Sequence, residues 1–433
     1  MTSTEKHIDI FPHITAFIVA LLFWCAPDCH SANSGGDIRV SLLTCSPGKE
    51  IYQLEGHTAL RLTRTDTLNE AGEVILPGYD EVVNWGVFDF SAPNFVYRFV
   101  KGETDYMACA YSFDSFIEEY RLEGRRVTEQ VINLTREQAK LLEALVAANI
   151  QPENRTYRYN YVKDNCATRP LAMIEQALGD TITLGITDVA EKNESPATFR
   201  SEMKRYHTNY PWYQFGIDLA LGNGIDRPIS QRERTFAPIK LEEALAGATF
   251  TDTCGTRHPV VTDNILLNHG ITGGVTAPPT SWPFSPVGMS VVLLLFVAMF
   301  SIYDMHRRSI TRWLDTLFYG TLFLAGCLIC FLVFISSHEA TSPNWLLLWL
   351  NPFCIIAAAG VWIKRCKRVV YCYQICNFAA LLLLLGGHRF TGQALNTAFP
   401  LLILCDMMRS VTYIYVYLRN KKSPKAEADK RKG

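Results

Sequence analysis

Two short segments carry residues that could do covalent chemistry: Gly56-His57-Thr58-Ala59-Leu60-Arg61 and Asp164-Asn165-Cys166-Ala167-Thr168-Arg169. A thiol becomes a nucleophile when a neighbouring base takes its proton, and imidazole is the side chain whose ordinary pKa suits that task near neutral pH. Asp164 or Asn165 can cap a helix that starts at Cys166, which lays the thiol over the positive end of a helix dipole. That placement predicts a lowered thiol pKa and a reactive thiolate. An arbitrary cysteine is more often a buried structural residue, but the polar neighbours Asp164, Asn165, Thr168 and Arg169 favour the reactive reading. Cys45, Cys109 and Cys254 have no such setting, and whether Cys45 and Cys109 form a disulfide is open at this level. Among the other histidines of the same region, His207 lies in a polar helical stretch, and His258 and His269 lie close to a linker. His57 is therefore the base. A third group must orient the imidazole. Asn84 and Asp89, on the next strand, both qualify, and Asn84 is chosen because it opens the stretch Asn84-Trp85-Gly86. No Cys-x-x-Cys with histidine spacing suggests a metal site, and no cofactor is expected.

These side chains need a scaffold. Strands are expected at 38–44, 58–63, 81–89, 106–111 and 126–133, with a turn at Cys45-Ser46-Pro47-Gly48. Thr135-x-x-Gln138 is a capping-box pattern that opens a helix running to Asn149. After Cys166, the apolar residues Leu171, Ile174, Ala177 and Leu178 keep helical spacing up to Gly179. Pro170, one turn in, predicts an irregular first turn. Residues 195–250 read as helices and loops with an aromatic cluster at Tyr210, Trp212, Tyr213 and Phe215. The sum is an α+β domain.

Beyond Trp282 the composition changes. Five apolar segments, at 284–303, 317–335, 345–363, 369–386 and 394–418, each approach the roughly 20 residues needed to cross a bilayer. Arg307, Arg308 and Arg312 follow the first segment, Lys364, Arg365, Lys367 and Arg368 the third, and a basic tail the fifth. Positive charge marks the cytoplasmic side, so the α+β domain lies outside. Ahead of that domain, Lys6 and His7 precede a short apolar core from Ile14 to Trp24, the pattern of a signal peptide, with an uncleaved anchor as the alternative. The expected organisation is a signal or anchor at 1–32, an extracytoplasmic domain at 33–269, a linker at 270–281, a membrane domain at 282–418 and a basic cytoplasmic tail at 419–433. Asp406 and Arg409, three apart in the last span, are either a local ion pair or a mark of function. A net charge of −1, with no basic patch interleaved with aromatic residues, speaks against nucleic acid as a partner.

A histidine on an early strand, a polar residue on the next strand and then Asn-Cys at a helix start resemble the circularly permuted papain-like (NlpC-type) fold, which often handles acyl groups on lipids. More closely, Leu43-Thr44-Cys45-Ser46-Pro47-Gly48, the His57 segment, Asn84-Trp85-Gly86-Val87-Phe88-Asp89-Phe90 and the Cys166 segment look like the Lnb-type lipoprotein N-acyltransferases. That family pairs a periplasmic thiol domain with a five-helix membrane domain. The resemblance implies a ping-pong acyltransferase of the bacterial inner membrane. In it, Cys166 takes an acyl chain from a phospholipid as a thioester, and His57 acts as base, oriented by Asn84. The chain then passes to the α-amine of the lipidated N-terminal cysteine of a diacylated lipoprotein. His338, Asn344 and His388, at the same level as the thiol, could line the lipid entry. With water as acceptor the same residues give a membrane-bound thiol hydrolase, a phospholipid deacylase or amidase-peptidase. A third reading is a non-catalytic membrane receptor or assembly factor on a decayed enzyme fold.

Overall fold

The structure, a computed structural model, describes residues 38–179, 182–185, 196–271 and 274–430. The expected signal or anchor at 1–32, with Cys25 and Cys29, lies outside the described residues.

Alternation of apolar side chains builds the sheet. On β1 (Ile38–Cys45), Val40 and Leu42 point to one face, and Leu43 and Cys45 to the other. Both faces are covered, so the last six residues of β1 are all buried. β2 (His57–Arg64) pairs with it antiparallel, Cys45 opposite His57. Residues 65–78 belong to a separate small unit containing β3 (Thr67–Leu68) and β4 (Val74–Leu76), a hairpin whose turn is held by Asn69 Oδ1 accepting from Ala71 and Glu73 amides. β5 (Tyr79–Val87) returns beside β2 with Ala59 opposite Asn84. β6 (Asp105–Ser112), β7 (Val127–Ile132), β8 (Thr156–Arg158) and β11 (Val261–Asn268) complete a seven-stranded sheet in the order β11-β7-β1-β2-β5-β6-β8. β9 (Thr249–Thr251) and β10 (Arg257–Pro259) form a separate pair. Between Cys45 on β1 and Cys109 on β6 lie two strands, which at about 4.8 Å per step is near 14 Å. A disulfide cannot bridge that gap, and both thiols are free.

Of the helices, α1 (Phe95–Lys101) follows β5 and α2 (Phe113–Leu122) follows β6. α2 covers the Leu43–Cys45 face with Phe116, Ile117 and Tyr120. α3 (Arg136–Asn149) starts at the capping box read from Thr135 and Gln138, with both reciprocal hydrogen bonds present. α4 (Thr168–Leu178) ends at Gly179. α5 (Phe199–Tyr206), α6 (Pro211–Ala220), α7 (Gln231–Arg234) and α8 (Pro238–Ala246) fill the helical region before β9. Leu142 of α3, Leu171 and Ile174 of α4 and Leu241 of α8 close over the Val40–Leu42 face. Burying each such side chain contributes about 1.5–3 kcal/mol.

Among the described residues four helices are long and apolar enough to cross a membrane: α9 (Pro286–Arg307), α10 (Arg312–Phe334), and two further stretches, Lys364–Thr391 and Phe399–Lys421. The expected third span, 345–363, is not one continuous helix. Short turns at Trp345–Leu348 and Pro352–Cys354 lead into the six-residue α11 (Ile355–Gly360). Pro352 donates no hydrogen bond, and Asn344 and Asn351 turn their side chains onto the amides of Leu346 and Phe353, so local caps replace the helical ladder. The segment still runs the depth of the bundle. Trp345 N bonds Gln393 Oε1 (2.8 Å) at the end nearest the α+β domain, the Asn351 backbone packs on Gly326, and Trp362 Nε1 bonds Thr316 Oγ1 (2.8 Å) near the other end. Irregular backbone survives at that depth because one face packs on protein, where Leu346, Trp349, Leu350, Cys354 and Ala357 are all buried, while Phe353 and Ile355 stay on the exposed face. α12 (Lys367–Thr391) and α13 (Phe399–Lys430) complete the bundle.

Arg409 does not pair with Asp406. Its guanidinium binds Asp304 of α9 (2.8 Å) and Asp315 of α10 (2.7 Å), joining three helices, while Asp406 Oδ1 accepts from Asn377 of α12 (2.7 Å). At the opposite end, the loop after α10 docks on the α+β domain. Ser337 N donates to Lys101 O (2.8 Å) and Gly222 N to Ala340 O (2.9 Å). A Cβ on Gly222 would lie 2.2 Å from Pro343 O, so only glycine permits this approach.

Candidate active site

Cys166 lies in the turn before α4, two residues ahead of its first helical residue. Asn165, not Asp164, is the capping side chain: its Oδ1 accepts from the amides of Ala167 (2.9 Å) and Thr168 (3.0 Å). Its Nδ2 donates to Tyr161 O (2.8 Å) and Phe236 O (2.9 Å), so this one buried amide fixes the turn from four sides. Asp164 instead forms a two-pronged pair with Arg169 (2.6 and 2.8 Å). Pro170 is accommodated inside the first turn, where no helical donor is needed.

His57 and Asn84 point to the same face of the sheet, and His57 Nε2–H donates to Asn84 Oδ1 at 2.9 Å. That contact puts the proton on Nε2 and leaves the Nδ1 lone pair to act as base. Asp89, the alternative orienting group, is exposed and spends its carboxylate on Ser91. Gly56 brings the histidine to this position: its φ is +86°, and a Cβ there would lie 2.5 Å from Cys45 O.

His57 and Cys166 line one cavity of about 650 Å³. The amides of Thr58, the residue after His57, and of Cys166 itself point at the sulfur. The thiol pKa is nevertheless not lowered as expected. Burial pushes it up to about 11, outweighing those two amides. Burial likewise pushes the His57 imidazole down to about 4, against the opposing effect of the Asn84 hydrogen bond. The resting site therefore holds a neutral thiol and a neutral base in one cavity. Proton transfer must accompany attack on a substrate rather than precede it.

The cavity is walled by aromatic rings. Phe88 packs on Phe90 (4.5 Å between centroids) and on Tyr106 (5.1 Å), and Tyr106 stacks on Tyr159 (4.4 Å). Phe95 and Phe99 of α1 extend this wall to His338, whose Nε2 bonds Phe99 O (2.8 Å). Of the three residues expected near the lipid entry, only His338 lines the cavity. Asn344 is buried and bonds Leu219 O and Leu346 N, and His388 bonds Leu385 O within its own helix. Four charged residues that the sequence did not single out, Glu55, Glu119, Glu123 and Arg125, also line the cavity. Arg125 is buried, with Nε on Ser46 O (2.7 Å) and Nη1 on Glu123 (3.0 Å). Glu55 is buried and bonded to Tyr161 and to His207. Among the described residues no group of three or more His, Cys, Asp or Glu could hold a metal ion.

Residues 27–204 match the family model of the Lnb N-terminal periplasmic domain, and residues 278–421 match that of the Lnb transmembrane domain. No curated protein and no solved structure matches the chain. The chain is an Lnb-type protein, a multi-pass membrane protein with a periplasmic domain ahead of its membrane helices.

Proposed function

We propose that this chain is an apolipoprotein N-acyltransferase of the bacterial inner membrane, built on a permuted papain-like domain in which the histidine strand precedes the cysteine turn. The observation that carries the reading is the oriented His57–Asn84 pair sharing an aromatic cavity with Cys166, one wall of which ends at a loop of the membrane bundle. An apolar, ring-lined cavity of this size suits an acyl chain better than a peptide.

In the first half-reaction the Cys166 thiol gives its proton to His57 Nδ1 as sulfur attacks the carbonyl carbon of a glycerol ester. The backbone amide of Cys166 is the natural donor to the oxyanion. The C–O bond then breaks, His57 returns its proton to the leaving alkoxide, and a thioester remains on Cys166. In the second, the α-amine of the lipidated N-terminal cysteine attacks the thioester, forming an amide and restoring the thiol. The ester can belong to a phospholipid or to the diacylglyceryl group of the acceptor itself, which is one chemistry from two sources.

The test uses the purified full chain in phospholipid vesicles with a diacylglyceryl lipopeptide. The acyl label is placed on the phospholipid in one arm and on the lipopeptide in the other. Intact-mass spectrometry should find one hydroxylamine-labile acyl chain on the wild type and none on Cys166→Ala. The arm that labels the protein identifies the donor. No adduct in either arm sinks the reading, and label appearing as free fatty acid with no amide would make the protein a hydrolase.

A further inference from the structure

Glu55, the residue before Gly56-His57, is 6% exposed and lines the same cavity as the thiol. Its Oε1 takes hydrogen bonds from the Tyr161 hydroxyl and from His207 Nε2–H (2.8 Å). Its Oε2 has no partner among the described residues. That oxygen is open to the cavity, where a ligand in contact with the thiol can reach it.

The groups behind Glu55 indicate the sign of what completes it. His207 Nδ1 is bonded to Gln214 Oε1 (2.7 Å), and Gln214 Nε2–H donates to Asp218 Oδ1 (2.8 Å). Arg200 pairs with both Asp218 (2.9 Å) and Asp226 (2.7 Å). Both ring nitrogens of His207 are held, one by Gln214 and one by Glu55. This buried chain holds three carboxylates, Glu55, Asp218 and Asp226, and one guanidinium, Arg200. Its unsatisfied end is Glu55 Oε2. Tyr159, Tyr161 and Tyr213 line the cavity beside it, and a carboxylate among aromatic faces is a setting that binds ammonium groups. The far end is anchored too, since Asn396 at the start of the last span donates to Asp218 Oδ2 (2.7 Å).

We propose that Glu55 Oε2 binds the α-ammonium of the acceptor and holds it against the acyl-thioester of Cys166. This rests on the acyltransfer reading above. The ammonium passes one proton to Glu55, which releases it to water, and the freed lone pair attacks the thioester carbonyl. The C–N bond forms and the C–S bond breaks. The second nitrogen proton moves through His57 Nδ1 to the departing sulfur, restoring the thiol.

The two half-reactions can be read separately in the purified full chain with a diacylglyceryl lipopeptide. In Glu55→Gln the thioester on Cys166 should accumulate while N-acylation of the lipopeptide falls about 10–100-fold, the loss expected for one charge-assisted hydrogen bond. Glu55→Asp should recover part of the rate. Wild-type rate and KM for lipopeptide in Glu55→Gln would overturn the proposal. A wild type that forms neither thioester nor amide would overturn the acyltransfer reading instead. A further arm needs no variant: a lipopeptide with an α-hydroxyl in place of the amine should compete with the free-amine lipopeptide at least about tenfold more weakly. Equal competition would again overturn the role of Glu55.

Discussion

At the scale of single residues, the site is a neutral thiol and a neutral imidazole, each shifted by burial. The unfolded chain binds a proton on histidine below about 6.5, whereas folded His57 stays neutral down to about 4. The contribution of this site to stability is therefore full above about pH 6.5 and is lost as pH falls towards 4. The thiol acts at the other end of the scale. Folded Cys166 keeps its proton up to about 11, so its contribution is lost as pH rises from about 8.5 towards 11. Alkylation of Cys166 by iodoacetamide should accordingly be slow at pH 7–8 and rise steeply only above pH 9. Fast alkylation with a midpoint below pH 8 would mean that the resting site is an ion pair. The partners of His57 and Cys166 were legible because residue type and strand order suffice to nominate them. Glu55 and His207 were not, because they lie far apart in the chain and nothing local marks either as buried.

At the scale of elements, the thiol turn depends on Asn165, which closes two amides and two carbonyls with one side chain. Asn165→Ala removes a helix cap and strands two buried carbonyls, which should cost about 2–4 kcal/mol. Thermal unfolding of the purified protein checks this, and an unchanged midpoint would show that the turn holds without the cap. The strands flanking the site and the capping box at Thr135 were readable because alternation and caps are local signals. The third span reads as apolar but not as broken, since Asn344 and Asn351 reveal their capping role only once the backbone has turned. Strand β11 was missed because Thr262, Asp263 and Asn264 carry no apolar alternation; an edge strand beside β7 needs none.

At the scale of the whole molecule, the periplasmic site and the membrane bundle are held together at two levels. Near the site, Asn396 reaches the Glu55–Asp218 chain, and the loop at 337–344 docks on α1 and on Gly222. At the other end of the bundle, Arg409 ties α9, α10 and α13 through Asp304 and Asp315. Arg409→Ala leaves two buried carboxylates without their partner and should destabilise the bundle by about 3–5 kcal/mol. Its midpoint in a detergent thermal melt should fall and its level in membranes drop, with Arg409→Lys less severe. A wild-type melt for Arg409→Ala would show that the cluster has no structural weight.

The central claim is that Cys166 carries the acyl chain destined for the lipoprotein amine. The most direct measurement is mass spectrometry of lipoprotein N-termini from a bacterium depleted of its own N-acyltransferase and supplied with this chain. N-acylated termini are expected with the wild type, and free amines with Cys166→Ala expressed to the same level. Free amines with the wild type, or equal N-acylation with Cys166→Ala, would contradict the claim.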